Sequence, residues 1–449
     1  MLDWVMPRDY RRYEPDQTLL LPPSLRDWLP EDHLAFFLSD TIDAMDLSAF
    51  EARYGDVGPG NQAFDPRMML KVLVYAYATG TFSSRKIAGK LHEDVAFRVL
   101  GADNFPAHRT ISDFRQRHLA EFRDVFVQVV QLAREVGLVK LGTVAVDGSK
   151  VKANASKHKA MSYGRMKEEE KRLRQEIKEL LARAKKTDAV EDKRYGRDKR
   201  GDELPAELTR REDRLRTIEA ARKRLEERQR GMDEEGGREP GDHKDRPGKP
   251  KRGFKRRFGE PKPSAQENFT DPDSRIMKRG SSGFEQCYNP QIAVDEEERI
   301  IVATHVTQSA SDVQELAPLM DQIEENLGEY PKKALADAGY RSESNFQGLE
   351  NRDIEGFVVF GREKKSGQSK APDASDEASV RMAKKMKSAR GRDQYKKRKY
   401  LGEPPFAWIK SVMGFRQFSL RGIDKVGGEW DLACLAMNLK RMHRKMVWV

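Results

Sequence analysis

Apolar residues in the first third of the chain recur at helical spacing. Within residues 31–50, Leu34, Phe37, Ile42, Met45 and Phe50 fall near one face of a 3.6-residue repeat. Asp65 and Pro66 then provide a cap and a first-turn proline, an apolar run follows, and Gly80 closes it. Three shorter pieces, SSRKIAGKLHED, VAFRVLG and AHRTISDFRQRH, predict short helices joined by tight turns. The last carries Arg109, Arg115 and Arg117. It reads either as part of a helix-turn-helix that presents these arginines to DNA or as part of an ordinary helical bundle.

Farther along, the pattern switches to strands. LGTVAVDGSKV predicts a buried strand at 143–147, and YNPQIAVD and RIIVATHV flank the acidic turn Glu296–Glu298 as a β-hairpin. SDVQELAPLMDQIEENLG predicts a helix opened by a capping box from Ser311 to Gln314. KKALADAGY and IEGFVVFG read as strands, with SESNFQGLEN as a helix between them. A lysine-rich polar loop (361–394) precedes a helix expected to start at or just after Glu403, with Pro404 and Pro405 in its first turn. An amphipathic helix through DLACLAMNLKRMHRKM follows. Strand, long insertion, two strands, then alternating helices and strands make a mixed α/β sheet interrupted once. The expected organisation is a helical N-terminal domain over 1–140, a first strand at 141–154, an insertion over 155–270, and the rest of the α/β domain over 271–449.

Charge changes the picture mainly in the insertion. The 449 residues carry a net charge of +11, and 155–270 holds 35 Lys and Arg against 25 Asp and Glu, so nearly all the excess lies there. Met166, Leu173, Ile177, Leu180 and Ala184 follow a heptad seam, as do Leu208, Leu215, Ile218 and Leu225. With Gly196, Gly201 and Pro205 between them, these stretches predict an antiparallel helical hairpin. HKDRPGKPKRGFKRRFGEPKP, after it, is basic and broken by proline and glycine, so it is expected to be extended or disordered, either lying along phosphates or serving as a linker. A sequence pI near 9.3 suggests a polyanionic partner, nucleic acid before membrane.

Other classes recede. Cys287 and Cys434 are far apart, which argues against a disulfide framework and for a reducing compartment. No stretch has the length and apolarity of a membrane span or a signal peptide, so the expected location is the cytoplasm. No Gly-x4-Gly-Lys-Ser/Thr loop occurs, since Gly89-Lys90 is followed by Leu91. His158 and His305 have no partner at metal-ligand spacing. Phe406 and Trp408 are expected to pack the helix, stacking on a base being the less favoured role.

Three acids stand at element ends: Asp147 closing VAVD, Asp337 closing ALAD, and Glu403 opening a helix. Each alone has an ordinary reading, as a turn residue or as a first-turn acid complementing the helix dipole. Together they can converge, because the ends of neighbouring strands share one rim of a sheet. Three hard oxygen donors suit Mg²⁺ or Mn²⁺ better than zinc, and two such ions can clamp an in-line displacement at phosphorus.

VAVDGSKVKANAS, DPDSRIMKRGSSGFEQCYNPQIAVD, ALADAGY and YKKRKYLGEPPFAWIKSVMGFRQFSLRG resemble the transposases of bacterial insertion sequences with a DDE, ribonuclease H-like catalytic domain. FDPRMMLKVLVYAYATGTFSSRKIAGKL and HRTISDFRQRH resemble the helical DNA-binding domain at the front of those proteins. The resemblance implies a mixed five-stranded sheet with flanking helices, and Asp147, Asp337 and Glu403 as the triad that binds Mg²⁺ (or Mn²⁺). It also implies a Tyr-Arg-Glu-Lys signature in Tyr395, Arg398, Glu403 and Lys410. Four residues separate Arg398 from Glu403 where the wider group has three, so Lys397 or Lys399 could take the arginine's place. Arg398, Lys399 and Lys410 are then expected to hold phosphates of bound DNA. The activity implied is strand cleavage and strand transfer at terminal inverted repeats and target DNA by a homodimer, in a bacterial cytoplasm against the nucleoid. The alternatives are a DNA-binding protein that does not cut and a nuclease that cuts without joining.

Overall fold

The computed structural model describes residues 24–54, 63–195, 206–240, 256–280, 283–360 and 376–446, and the side chains within them other than 183–195 and 206–207. Gly196, Gly201, Pro205, the side chain of Ala184, residues 243–255 of the basic stretch and 361–375 of the lysine-rich loop lie outside that description.

The N-terminal region is helical: α1 (Leu34–Asp43), α2 (Ser48–Glu51), α3 (Pro66–Ala78), α4 (Ser84–Glu93), α5 (Val95–Gly101), α6 (His108–Arg117) and α7 (Leu119–Glu135). α3 starts as its sequence requires. The Asp65 carboxylate accepts from the Arg67 and Met68 N–H groups, and Pro66 needs no partner for a donor it lacks. Gly80 ends the segment at φ 81°, where a Cβ would stand 2.6 Å from the Met413 carbonyl oxygen.

Then come β1 (Val144–Gly148), β2 (Val151–Lys152), β3 (Ala160–Ser162) and the two long helices α8 (Tyr163–Tyr195) and α9 (Ala206–Glu235). Met166, Leu173, Ile218 and Leu225 from the expected seams join Met161, Tyr163 and Ala221 in a small core of their own. The root of this hairpin is more ordered than expected. β4 (Gln266–Asn268) pairs antiparallel with β3, and Arg256 donates to Gln229 and to the Glu260 carbonyl at 3.3 and 2.9 Å. Residues 256–263 of the basic stretch, expected to be extended or disordered, form neither helix nor strand and are tied to α9 by Arg256 and by the Gly259 N–H, which donates to Asp233 at 2.9 Å.

The main sheet adds β5 (Arg275–Lys278), β6 (Phe284–Asp295), β7 (Ile301–Thr307), β8 (Lys333–Ala336) and β9 (Glu355–Val358). β7, β6, β1, β8 and β9 lie side by side in that order; β7 and β1 run antiparallel to β6, and β1, β8 and β9 run parallel. β2 and β5 extend the sheet by pairing with the first residues of β6. α10 (Leu316–Leu327) and α11 (Glu343–Asn351) make the crossovers. α10 begins later than expected, because residues 312–315 form a turn and Glu315 caps without a side-chain bond; the Ser311 hydroxyl accepts only from Val313.

α12 (Glu377–Lys387), α13 (Ala389–Lys396), α14 (Arg398–Leu401) and α15 (Glu403–Ala407) lead into a π-helical turn, Trp408–Val412, and α16 (Ile423–Met446) follows. α16 packs on α3 and α7 and on β7, so one continuous core joins the helical region to the sheet. Glu429 of α16 is wholly buried there and accepts from Tyr77, Ser419 and Leu420.

Candidate active site

Strand alternation places the first two acids. Val144 and Val146 enter the main core, whereas Ala145 joins Leu335, Phe357 and Leu401 in a separate cluster on the opposite face. Asp147 shares the parity of Ala145, and Asp337 that of Leu335. β1 and β8 are parallel neighbours, so both carboxylates reach the same rim on the same face. Asp337 is steadied by accepting the Gly339 N–H at 2.7 Å.

Glu403 arrives from above. Leu401 is fully buried in the cluster over the strands, and Phe406 and Ile409 enter the main core on the other face, so residues 402–405 must cross the rim. Gly402 permits that crossing: a Cβ there would stand 3.3 Å from the Asp147 Cβ. As expected, a helix, α15, starts at Glu403 with Pro404 and Pro405 in its first turn. Gly402 already has helical angles (φ −80°, ψ −45°), so the residue continues a helical run coming from α14. Pro404 and Pro405 fall in the first turn of α15, where the N–H groups they lack would have no partner, and the π-turn follows.

The three carboxylates meet on one guanidinium. Arg398 Nη2 donates to Asp147 Oδ1 and Asp337 Oδ2, both at 3.3 Å, and Nη1 donates to Glu403 Oε1 at 3.4 Å. Arg398 is buried, whereas Lys399 is exposed and Lys397 is spent on Glu296 at 2.6 Å. Neither lysine substitutes for Arg398, and the one extra residue of spacing is absorbed between α14 and α15. Burial pushes the Asp147 carboxyl up to about 6 against the pull of Arg398, with Asp337 and Glu403 adding to the rise. Tyr395 lies within electrostatic reach of Arg398, Asp337, Asp147 and Glu403, and burial raises its hydroxyl pKa.

Lys410 bonds the Ser149 hydroxyl and donates to the Lys150 carbonyl at 3.1 Å, on the loop just after Asp147. Burial, then Arg279, pull its ammonium down to about 8, while Asp147 holds it up. Phe406 stacks on Trp430, and Trp408 lies under Lys440 and Arg444, so both aromatics are packing residues as expected.

A fourth acid, Asp312, which its local sequence does not single out, lies on the loop before α10. Asp312 Oδ1 accepts from Asn289 at 2.6 Å, Gln291 at 2.9 Å and Lys150 at 3.2 Å. Its other oxygen and Asp337 Oδ1 both border Gly339, at 3.2 and 2.8 Å from where a Cβ would stand. Nothing in SASDVQEL distinguishes this residue from a helix-opening turn acid, and Asn289 and Gln291 read only as alternate residues of a strand.

Arg109 and Arg117 are exposed on α6, but Arg115 is not on that surface. It is buried, donating to the Tyr77 hydroxyl (3.2 Å), the Phe82 carbonyl (2.7 Å) and the Ser84 hydroxyl (3.3 Å), because α6 must turn one side toward α3 and α4.

A hard divalent cation suits this donor set, since three carboxylates from three segments already face one positive charge. As placed, no three His, Cys, Asp or Glu side chains among the described residues stand close enough to hold an ion, so the spacing fits a guanidinium. Among the described residues no helix is long and apolar enough to cross a membrane.

Two family models match the chain. That of the Transposase domain (DUF772) family covers residues 23–117, the helices up to α6, and that of the Transposase DDE domain family covers 257–439, beginning beyond Asp147 and most of the insertion. No curated protein and no solved structure matches. With a transposase domain in front and a DDE domain holding the rim that faces Asp147, the chain belongs to the insertion-sequence DDE transposases, enzymes that cleave DNA and transfer the cut strand.

Proposed function

We propose that this transposase binds the terminal inverted repeats of its element and its target DNA, and works at Asp147, Asp337 and Glu403 with Mg²⁺ or Mn²⁺ held by those three acids. The observation that carries this reading is the meeting of three carboxylates, from β1, the exit of β8 and α15, on the single cation Arg398. The strand order β7-β6-β1-β8-β9, antiparallel on one side of β1 and parallel on the other, favours a ribonuclease H-like sheet.

Divalent ions bound there would supply Lewis-acid activation of the attacking oxygen and stabilise the leaving one. The chain's own residues orient the phosphodiester. Arg398 offers a forked donor and Lys410, anchored by Ser149, a point charge to its oxygens. Lys399, exposed beside them, meets a flanking phosphate, and Tyr395 closes the side of the site. Arg109 and Arg117 face the repeat from a helix-turn-helix formed by α4–α6. One copy per DNA end makes a homodimer in the synaptic complex, and the α8–α9 hairpin is its candidate contact. The working location is the bacterial cytoplasm at the nucleoid.

The test is a supercoiled plasmid carrying the element's ends, incubated with the full chain and Mg²⁺. Joined products are expected. Nicks without joining would leave a nuclease, and binding without nicks a DNA-binding protein.

A further inference from the structure

A groove of about 560 Å³ opens where β2 runs on into the turn Lys157–Lys159. Its floor is held rigidly by residues 417–421. Phe418 N–H donates to the Lys152 carbonyl at 2.9 Å, Arg421 Nε to the Asn154 carbonyl at 2.9 Å, and Asn154 Nδ2 to the Ser419 carbonyl at 2.6 Å. Lys152, Lys157, Lys159 and Arg421 line it against one acid, Glu285. That acid is already held by Arg279 at 2.9 Å and faces Lys152 at 3.9 Å. Among the described residues no carboxylate pairs with Lys157, Lys159 or Arg421, although glutamates pair with many of the arginines on the nearby hairpin. The remaining walls are amides and hydroxyls, Ala155 and the His158 imidazole, with no Phe, Tyr or Trp.

The groove and the rim are joined by one short stretch of chain. Asp147 is followed by Ser149 and Lys150, which Lys410 holds, and these lead directly into β2 and Lys152. A phosphodiester seated at Asp147 therefore has its neighbouring phosphates aimed along a basic channel with a fixed floor. We infer that this groove is the backbone track for the DNA strand being cut, gripping its phosphates without reading sequence. The inference rests on the proposed placement of the reaction at Asp147. Phosphate-only contacts fix register and contribute a salt-dependent, sequence-independent affinity.

The test compares the full chain with the variant Lys157→Ala/Lys159→Ala/Arg421→Ala on duplexes carrying the element's ends and on random duplexes, from 50 to 200 mM salt. Three lost phosphate contacts should lower the log–log salt slope by about 2–3 on both DNAs. The loss in cleavage should fall in KM, and Lys157→Arg/Lys159→Arg should bind as the parent does. An unchanged slope, a loss confined to the element's ends, or no DNA binding by the parent chain would overturn the track. A parent chain that shows the groove-dependent slope and never cuts would leave the track standing and remove the proposed chemistry instead.

Discussion

Arg174 and Arg214 on the α8–α9 hairpin pair with Glu219 and Glu169 at 2.8 and 3.0 Å, each with more than half its side chain in water. Arg398 makes longer contacts, at 3.3–3.4 Å, yet only 10% of its side chain is exposed and it serves three acids from three segments. By distance alone the hairpin pairs look stronger. Solvent reverses the ranking: exposed pairs contribute about 0–1 kcal/mol, because water and salt screen them and holding two long side chains costs entropy. At the rim, Arg398 and Asp147 are largely withdrawn from water, and the charges of Asp337 and Glu403 beside them make Asp147 depend on the shared cation. Charge density marks where the chain is solvated, whereas convergence from distant segments marks where charge is constrained.

The sharpest way to break this contrast is Glu403→Gln. Cutting should fall by several orders of magnitude, with Asp147→Asn and Asp337→Asn alike and double variants scarcely worse, while binding of DNA carrying the element's ends stays near normal. Robust Mg²⁺-dependent cutting by Glu403→Gln would make the meeting on Arg398 a structural contact like any other. Within α6 the same contrast separates two arginines. Arg115→Ala should lower unfolding stability by about 2–4 kcal/mol, since it strips the buried Tyr77–Glu429 cluster of its cation. Arg109→Ala should leave stability unchanged and cost about 1–3 kcal/mol in binding to the element's ends, if it reaches a base edge. Denaturant melts and binding isotherms on both variants would show whether the two effects divide in this way.

Asp312→Asn keeps the size of the side chain and removes its charge from Lys150, Asn289 and Gln291. Cleavage should drop about 10–100-fold, because Asp312 ties Lys150, on the loop after Asp147, to Asn289 and Gln291 of β6 and so positions the proposed site from behind. An activity within twofold of the parent would make Asp312 a turn residue. The smallest effect is expected at the hairpin, where Glu176→Gln, which removes the Arg211 partner at 2.8 Å, should change stability by less than about 1 kcal/mol. A larger loss would show that the hairpin, too, constrains its charges.

Strand periodicity made the sheet legible and put Asp147 and Asp337 at strand ends; their common face follows from the parallel register of β1 and β8, Ala145 opposite Leu335, which the sequence does not show. Glu403 could be picked out because two prolines follow it. The same prolines marked the start of α15 at Glu403, but not the helical angles that Gly402 already has before it. The central position of Arg398 was obscured by three neighbouring lysines, and side-chain type does not reveal which cation the fold will bury. Asp312, Asn289 and Gln291 were invisible for a related reason: each occupies an unremarkable local slot, and their convergence exists only once β6 and the loop before α10 are brought together. Arg115 was misassigned because helical spacing shows which residues share a face, not which face turns inward.

The bond between Tyr77 and Glu429 spans 352 positions of the chain. It belongs to the seam in which α16 completes the core begun by α3 and α7, so the sides of α3 and α7 that face α16 stay uncovered until α16 has docked. Closing so long a loop is slow, because its entropy must be given up before the contact rewards it. During synthesis the front of the enzyme therefore waits, half-packed, and the order in which the chain is made is not the order in which it becomes solid.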